Sequence, residues 1–176
     1  RVAGRIGGAQ EFDGVSQAID VPADSSFDWS NSARFSIEAW VKRTSPCSVT
    51  GETVIGRRDA SSLLEWSLGC EGSNARFRLI DTSGAGGAAD LVGSTDIADS
   101  EWHHLVAVRD AISGKNFLYV DNVEEASASV DYAGDFAGIS GLTIGWLDQG
   151  GADYHFAGAI DEVAIHDRVL SDSSIR

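Results

Sequence analysis

Alternation of apolar and polar positions with a period of two runs through nearly the whole chain, and helical periodicity is nearly absent. It is clearest over residues 102–109. There Trp102, His104, Val106 and Val108 fall on one face of an extended strand, and His103, Leu105, Ala107 and Arg109 on the other. The pattern resumes after a polar turn holding Ser113 and Gly114. Phe117 and Tyr119 alternate with Leu118 and Val120, and Asp121-Asn122 supplies a second turn into 123–126. Three strands joined this way predict an antiparallel meander, which must bury its apolar face against a second sheet.

The rest of the chain supplies that sheet. Residues 35–43 alternate as cleanly, with Phe35, Ile37, Ala39 and Val41 opposed to Ser36, Glu38, Trp40 and Lys42. Further strands are expected at 7–12, 53–57, 64–68, 75–80, 142–146 and 156–166, with a short edge strand at 90–93. Asp13-Gly14 predicts a hairpin from the first strand into 16–21. Residues 22–31, 132–140 and 148–153 read as loops, and 170–175 as a short helical tail with a Ser or Asp cap. The 20 glycines punctuate the strands, and no repeat or linker interrupts them, so residues 1–176 are expected to form one domain.

Charge and composition narrow the function classes. Acidic residues number 27 against 13 basic, a net charge of -14, and a field of that sign repels phosphate backbones, so nucleic acid is excluded as a partner. A hydrophobic content of 43% is too high for a disordered chain. No apolar run approaches the roughly 18 to 20 residues that cross a bilayer, so no membrane insertion is expected. Residues 1–5 lead straight into folded-looking sequence, as in a piece of a longer precursor. Cys47 and Cys70 are the only cysteines, each at the outer end of a predicted strand. A disulfide between them fits an extracellular or periplasmic protein; the alternative is two buried free thiols.

Six segments, in order, then carry a resemblance: Glu11-Phe12-Asp13-Gly14, residues 35–42, residues 101–108, Leu118-Tyr119-Val120-Asp121, Leu142-Thr143-Ile144-Gly145, and residues 156–163. Together they resemble the laminin-G-like family within the concanavalin A-like lectin and glucanase superfamily. The likeness is nearest to compact bacterial laminin-G-like domains of large secreted proteins, and more distant to pentraxins. The resemblance implies an all-β fold, a concanavalin A-like jelly-roll sandwich of two curved antiparallel sheets, and an extracellular or cell-surface setting.

It also frames the candidate chemistry. Superfamily members that cleave β-glucans carry Glu-x-Asp-x-x-Glu on one strand, because retaining hydrolysis needs two facing carboxyl groups about 5 to 5.5 Å apart. That motif is absent, and the neighbours Glu124-Glu125 and Asp161-Glu162 point to opposite faces. A non-catalytic binding module is therefore expected. By the resemblance, a structural calcium ion would sit between Asp13 and Asp161. A second, at the rim, would sit between Asp59 and Asp148 with the Gln149 amide, although Ala60 and Trp146-Leu147 depart from the pentraxin pattern there. Sugar recognition uses an aromatic ring beside amides and carboxylates. Trp146, Asp148, Gln149, Tyr154 and His155 form the expected ligand surface, while Trp40, Trp66 and Trp102 are expected in the core. His103 and His104 alternate sides, so one is expected buried and one exposed, and His166 is expected on the surface. The expected partner is glycan; the alternative is a structural or adhesive domain that contacts proteins.

Overall fold

The computed structural model describes residues 1–83, 87–148, 154–171 and 174–175. Among these, thirteen strands form two antiparallel sheets. In chain order they are β1 (Val2–Ala3), β2 (Gly8–Asp13), β3 (Ile19–Val21), β4 (Phe35–Lys42), β5 (Glu52–Asp59), β6 (Leu64–Glu71), β7 (Asn74–Ile80), β8 (Ala88–Val92), β9 (Trp102–Asp110), β10 (Lys115–Val120), β11 (Val123–Ser129), β12 (Leu142–Ile144) and β13 (Ala157–His166). The seven-stranded sheet runs β1-β2-β13-β4-β9-β10-β11, and the six-stranded sheet runs β3-β12-β5-β6-β7-β8. This is the expected jelly-roll sandwich. Among the described residues no helix is long and apolar enough to cross a membrane.

The inward positions of the two alternating patterns meet in one core. Phe35, Ile37, Ala39, Leu105, Ala107, Leu118 and Val120 come from one sheet, and Ile55, Leu64, Trp66, Leu68, Phe77 and Leu79 from the other. The predicted meander stands as β9, β10 and β11, and Asp121 and Asn122 both take positive φ (48° and 76°), as the tight turn requires. Trp29, read as a loop residue, stacks on Phe35 with ring centroids 4.0 Å apart, and its loop is pinned by a bridge to Phe136.

Two expectations are corrected. Asp13-Gly14 does not close a hairpin: β2 pairs with β1 and β13, β3 pairs with β12, and the turn carries the chain from one sheet to the other. The strand expected at 142–146 stops at Ile144 because Gly145 turns the chain at φ 85°, where a Cβ would collide with the Phe12 ring. Of the tail expected at 170–175, residues 172–173 lie outside the described residues, and the Ser171 carbonyl accepts from the N–H groups of Ser174 and Ile175. That tail lies across the outer face of the seven-stranded sheet. Ser36 Oγ donates to the Arg168 carbonyl (2.9 Å) and accepts from the Leu170 N–H (3.0 Å), while Leu170 and Ile175 cover Val106 and Val108.

Cys47 and Cys70 are joined in a disulfide, which decides between the two alternatives. It ties the β4–β5 connection to the end of β6, above the buried Arg43, whose Nη1 pairs with Glu52 (2.9 Å).

Candidate ligand groove beside Trp146

After Gly145 the chain turns back over the outer side of the six-stranded sheet. Thr143 Oγ1 donates to the Trp146 carbonyl (2.5 Å), Leu147 is buried as an anchor, and Arg58 Nη1 donates to the Asp148 carbonyl (3.2 Å). The result is a groove of about 410 Å³ lined by Asp20, Arg58, Ser140, Thr143, Trp146 and Asp148, among others. The indole Nε1 of Trp146 donates to Asp20 Oδ1 (3.3 Å), and its ring stacks on His155 with centroids 5.5 Å apart and planes 15° off parallel. The groove therefore holds an aromatic wall whose plane is fixed, a carboxylate beside it and a guanidinium across from it.

The structure sorts the expected ligand residues. Trp146 and Asp148 line the groove, and His155 backs the Trp146 ring. Tyr154 lies elsewhere, half-buried in a narrow crevice with Gly51, Ser67 and Arg76, its carbonyl accepting from the Thr53 N–H (3.0 Å). Gln149 lies outside the described residues. Asp20 and Arg58 were missed. Both stand at outward positions of alternating strands, a signal the sequence carries, but the loop that folds back onto them is a tertiary feature.

Neither expected calcium pair converges. Asp13 pairs with Ala157, and Asp161 stands further along β13; at about 3.4 Å per residue the two are roughly 13 Å apart. Asp13 Oδ1 accepts the N–H groups of Val15, Ser16 and Gln17 at 2.9 to 3.1 Å, and Oδ2 accepts from the Ser16 hydroxyl. These donors hold its carboxyl well below the usual carboxylate range. Asp161 is buried and accepts from the N–H groups of Ile6 and Glu162. Both sites thus present donors to the carboxylate, where a cation needs further oxygen acceptors.

The rim pair is separated by strand alternation. Arg58 reaches Asp148 on the outer side of β5, so the next residue, Asp59, faces inward. Its Oδ1 accepts from the Ser61 hydroxyl and N–H, its Oδ2 from the Ile139 N–H, and these bonds keep its pKa low against the effect of burial. Among the described residues, the one group of three such side chains whose ligand atoms all lie within 4.8 Å of one another is Cys47, Glu52 and Cys70, in which the two sulfurs are bonded to each other. Among the described residues the two carboxylate pairs do not converge on a shared set of oxygens, and Gln149 of the rim set lies outside them.

The histidines depart from expectation too, because both His103 and His104 are buried. His103 bonds Asp121 at Nδ1 (2.7 Å) and Asp99 at Nε2 (3.0 Å). Burial works against its protonation, but the two carboxylates prevail and raise its pKa. His104 stacks on Trp40, which stands on the outer face and not in the core, with centroids 4.9 Å apart. Glu38 joins His104 Nε2 (2.9 Å) to His166 Nε2 (2.7 Å), so His166 is a paired residue of the sheet face. With both oxygens engaged by imidazoles, Glu38 presents no open carboxylate partner for the paired-acid chemistry of glycoside cleavage. Trp66 is core as expected; Trp102 is half-buried on the outer face.

No curated protein sequence matches the chain significantly. Among solved structures it is similar to the binding domain of Paraclostridial Mosquitocidal Protein 1, with 16% identity, a TM-score of 0.79, and coverage of 99% of this chain and 43% of that one. It is similar to domains LG4-5 of the mouse laminin α1 chain, at 16% identity and a TM-score of 0.71, over 98% of this chain and 45% of that one. It is also similar to domain 4 of AbnA, an extracellular arabinanase of Geobacillus stearothermophilus solved with arabinotriose, at 25% identity and a TM-score of 0.70, over 99% and 77%. The chain thus spans less than half the length of the first two. A family model described as the concanavalin A-like lectin/glucanases superfamily, of laminin G type, matches residues 13–176, and the chain belongs to that family.

Proposed function

We propose that this chain is a non-catalytic carbohydrate-binding module and that the groove beside Trp146 takes the sugar. The observation that carries the reading is the Trp146–His155 stack set against Asp20 and Arg58 in one open groove. A sugar has an apolar face for the ring and hydroxyls for the carboxylate and guanidinium, which is the mixture this groove offers. The likeness to an arabinanase domain solved with arabinotriose supports the same ligand class. The Cys47–Cys70 disulfide supports an extracellular setting.

The test is a glycan array that includes arabino-oligosaccharides, followed by calorimetric titration of the hits. Trp146→Ala is expected to weaken binding about tenfold or more, the scale set by loss of about 1.4 kcal/mol of contact, with little change in melting temperature. A dark array, or an alanine variant that binds as the parent does, would refute the assignment and favour a protein-contacting domain.

A further inference from the structure

Three arginines are almost wholly buried, and only two of them are satisfied. Arg57 makes bonds to three carbonyls and to Asp28, and Arg43 pairs with Glu52. Arg109, on β9, is 4% exposed, yet its guanidinium makes a long bond, Nη1 to the Val130 carbonyl at 3.5 Å. Its buried Nε has no partner, and neither has the buried Oδ1 of Asn116, its cross-strand neighbour on β10. The guanidinium lies over the Tyr132 ring, 4.7 Å from the centroid, and burial pushes its pKa down. The carboxylates of Asp110 and Asp131 favour the cation through space, but among the described residues neither bonds it; Asp110 is committed to Arg34 (2.9 Å), the Ile112 N–H and the Ser113 hydroxyl. A desolvated cation with no carboxylate in hydrogen-bond contact is costly to hold, and a bonded anion would lower that cost.

Arg109 is also part of the wall of a surface cavity of about 400 Å³, shared with Asn31, Ser32, Asp131 and Tyr132. The wall is held in place: the Asn31 N–H donates to Asp135 (2.9 Å) and its amide to the Tyr132 carbonyl (3.3 Å). We infer that this cavity is a second ligand site, distinct from the Trp146 groove, in which Arg109 receives the carboxylate of an acidic sugar, a uronic or sialic acid. The planar guanidinium matches a carboxylate with two parallel bonds. Asp131 and the Asn31 and Ser32 side chains present acceptors and donors for ring hydroxyls. Asp131, together with a net charge of -14, disfavours dianions and polyanions, so a single carboxylate is the charge that fits. The sugar half of the assignment rests on the carbohydrate-binding reading; the carboxylate half rests on Arg109 alone.

The experiment is a melting series on the whole chain at matched ionic strength, with sodium glucuronate, sodium N-acetylneuraminate, or glucose in sodium chloride. One of the two acids is expected to raise the melting temperature by about 3 to 6 °C at ten times its Kd, glucose is not, and which acid acts separates the two sugar classes. Arg109→Met should abolish the rise, and Trp146→Ala should leave it intact, which separates this site from the groove. Arg109→Lys keeps the charge but not the two-pronged donor, and is expected to weaken affinity about tenfold. No rise with either acid in the parent protein overturns the assignment. So does a rise that persists in the methionine variant or, should that variant not fold, an affinity unchanged in the lysine variant.

Discussion

Arg57 holds together three segments that meet at the edge of the Trp146 groove, and Arg57→Met is expected to release them. Its guanidinium is fully buried, with Nε on the Ser140 carbonyl (2.9 Å), Nη1 on the Phe27 carbonyl (2.7 Å) and Asp28 (2.9 Å), and Nη2 on the Gly138 carbonyl (2.5 Å). Each bond from a charged donor is worth about 1.5 to 3 kcal/mol. The Asp28 arm counts for less, since that side chain is 35% exposed and screened by water. Removing the cation also relieves its desolvation, which offsets part of the loss. The net cost is about 3 to 5 kcal/mol, the scale of breaking a buried pair, or a fall of about 6 to 20 °C in melting temperature for a chain of this size. Urea unfolding followed by tryptophan fluorescence and circular dichroism measures it directly. Arg57→Lys should recover less than half, because one ammonium cannot reach all three carbonyls. A methionine variant within about 1 kcal/mol of the parent, at unchanged m-value, would refute the reasoning.

Other consequences can be checked on the same protein. Replacing both Cys47 and Cys70 with alanine frees a loop closed across 23 residues, and the chain-entropy relation gives a loss of about 3.4 kcal/mol; a loss under about 1 kcal/mol in urea unfolding would contradict it. His103 has a folded pKa raised by Asp99 and Asp121. Its contribution is therefore complete below the unfolded value of about 6.5 and vanishes as pH rises through the folded one. The stability gap between the parent and His103→Asn should accordingly narrow from pH 6 to pH 8.5, and a gap independent of pH would count against the pairing. Because neither Asp13 with Asp161 nor Asp59 with Asp148 converges, EDTA should leave the melting temperature within about 1 °C; a clear drop would reveal a calcium site.

Much of the fold was legible because a period of two is a local property. β4, β9 and β10 could be read residue by residue, including which residues share a face. What could not be read depends on pairing across long separations. Asp13 and Asp161 seemed neighbours as the end of an early strand and the middle of the last, but only the β2–β13 register shows the distance between them. The turn at Asp13 and Gly14 was recognisable by its chemistry, yet turn chemistry is silent on which sheet receives the next strand. Asp59 looked like a rim ligand until the alternation of β5 turned it inward, toward Ser61 and Ile139. Trp146 was found from its place at a strand end. Its partners Asp20 and Arg58 came to light only with the fold-back that Gly145 and Thr143 create. Arg109 sat in plain view on an inward position, and nothing local marks an inward arginine as having no carboxylate bonded to it.

The placement of β13 governs how this protein comes into being. It lies between β2 and β4, inside the seven-stranded sheet, so these two strands remain without their shared neighbour until β13 has been made. A growing polypeptide therefore carries an open seam between β2 and β4 until β13 emerges. A deletion from the C-terminal end that removes β13 would split the sheet in two instead of trimming its edge.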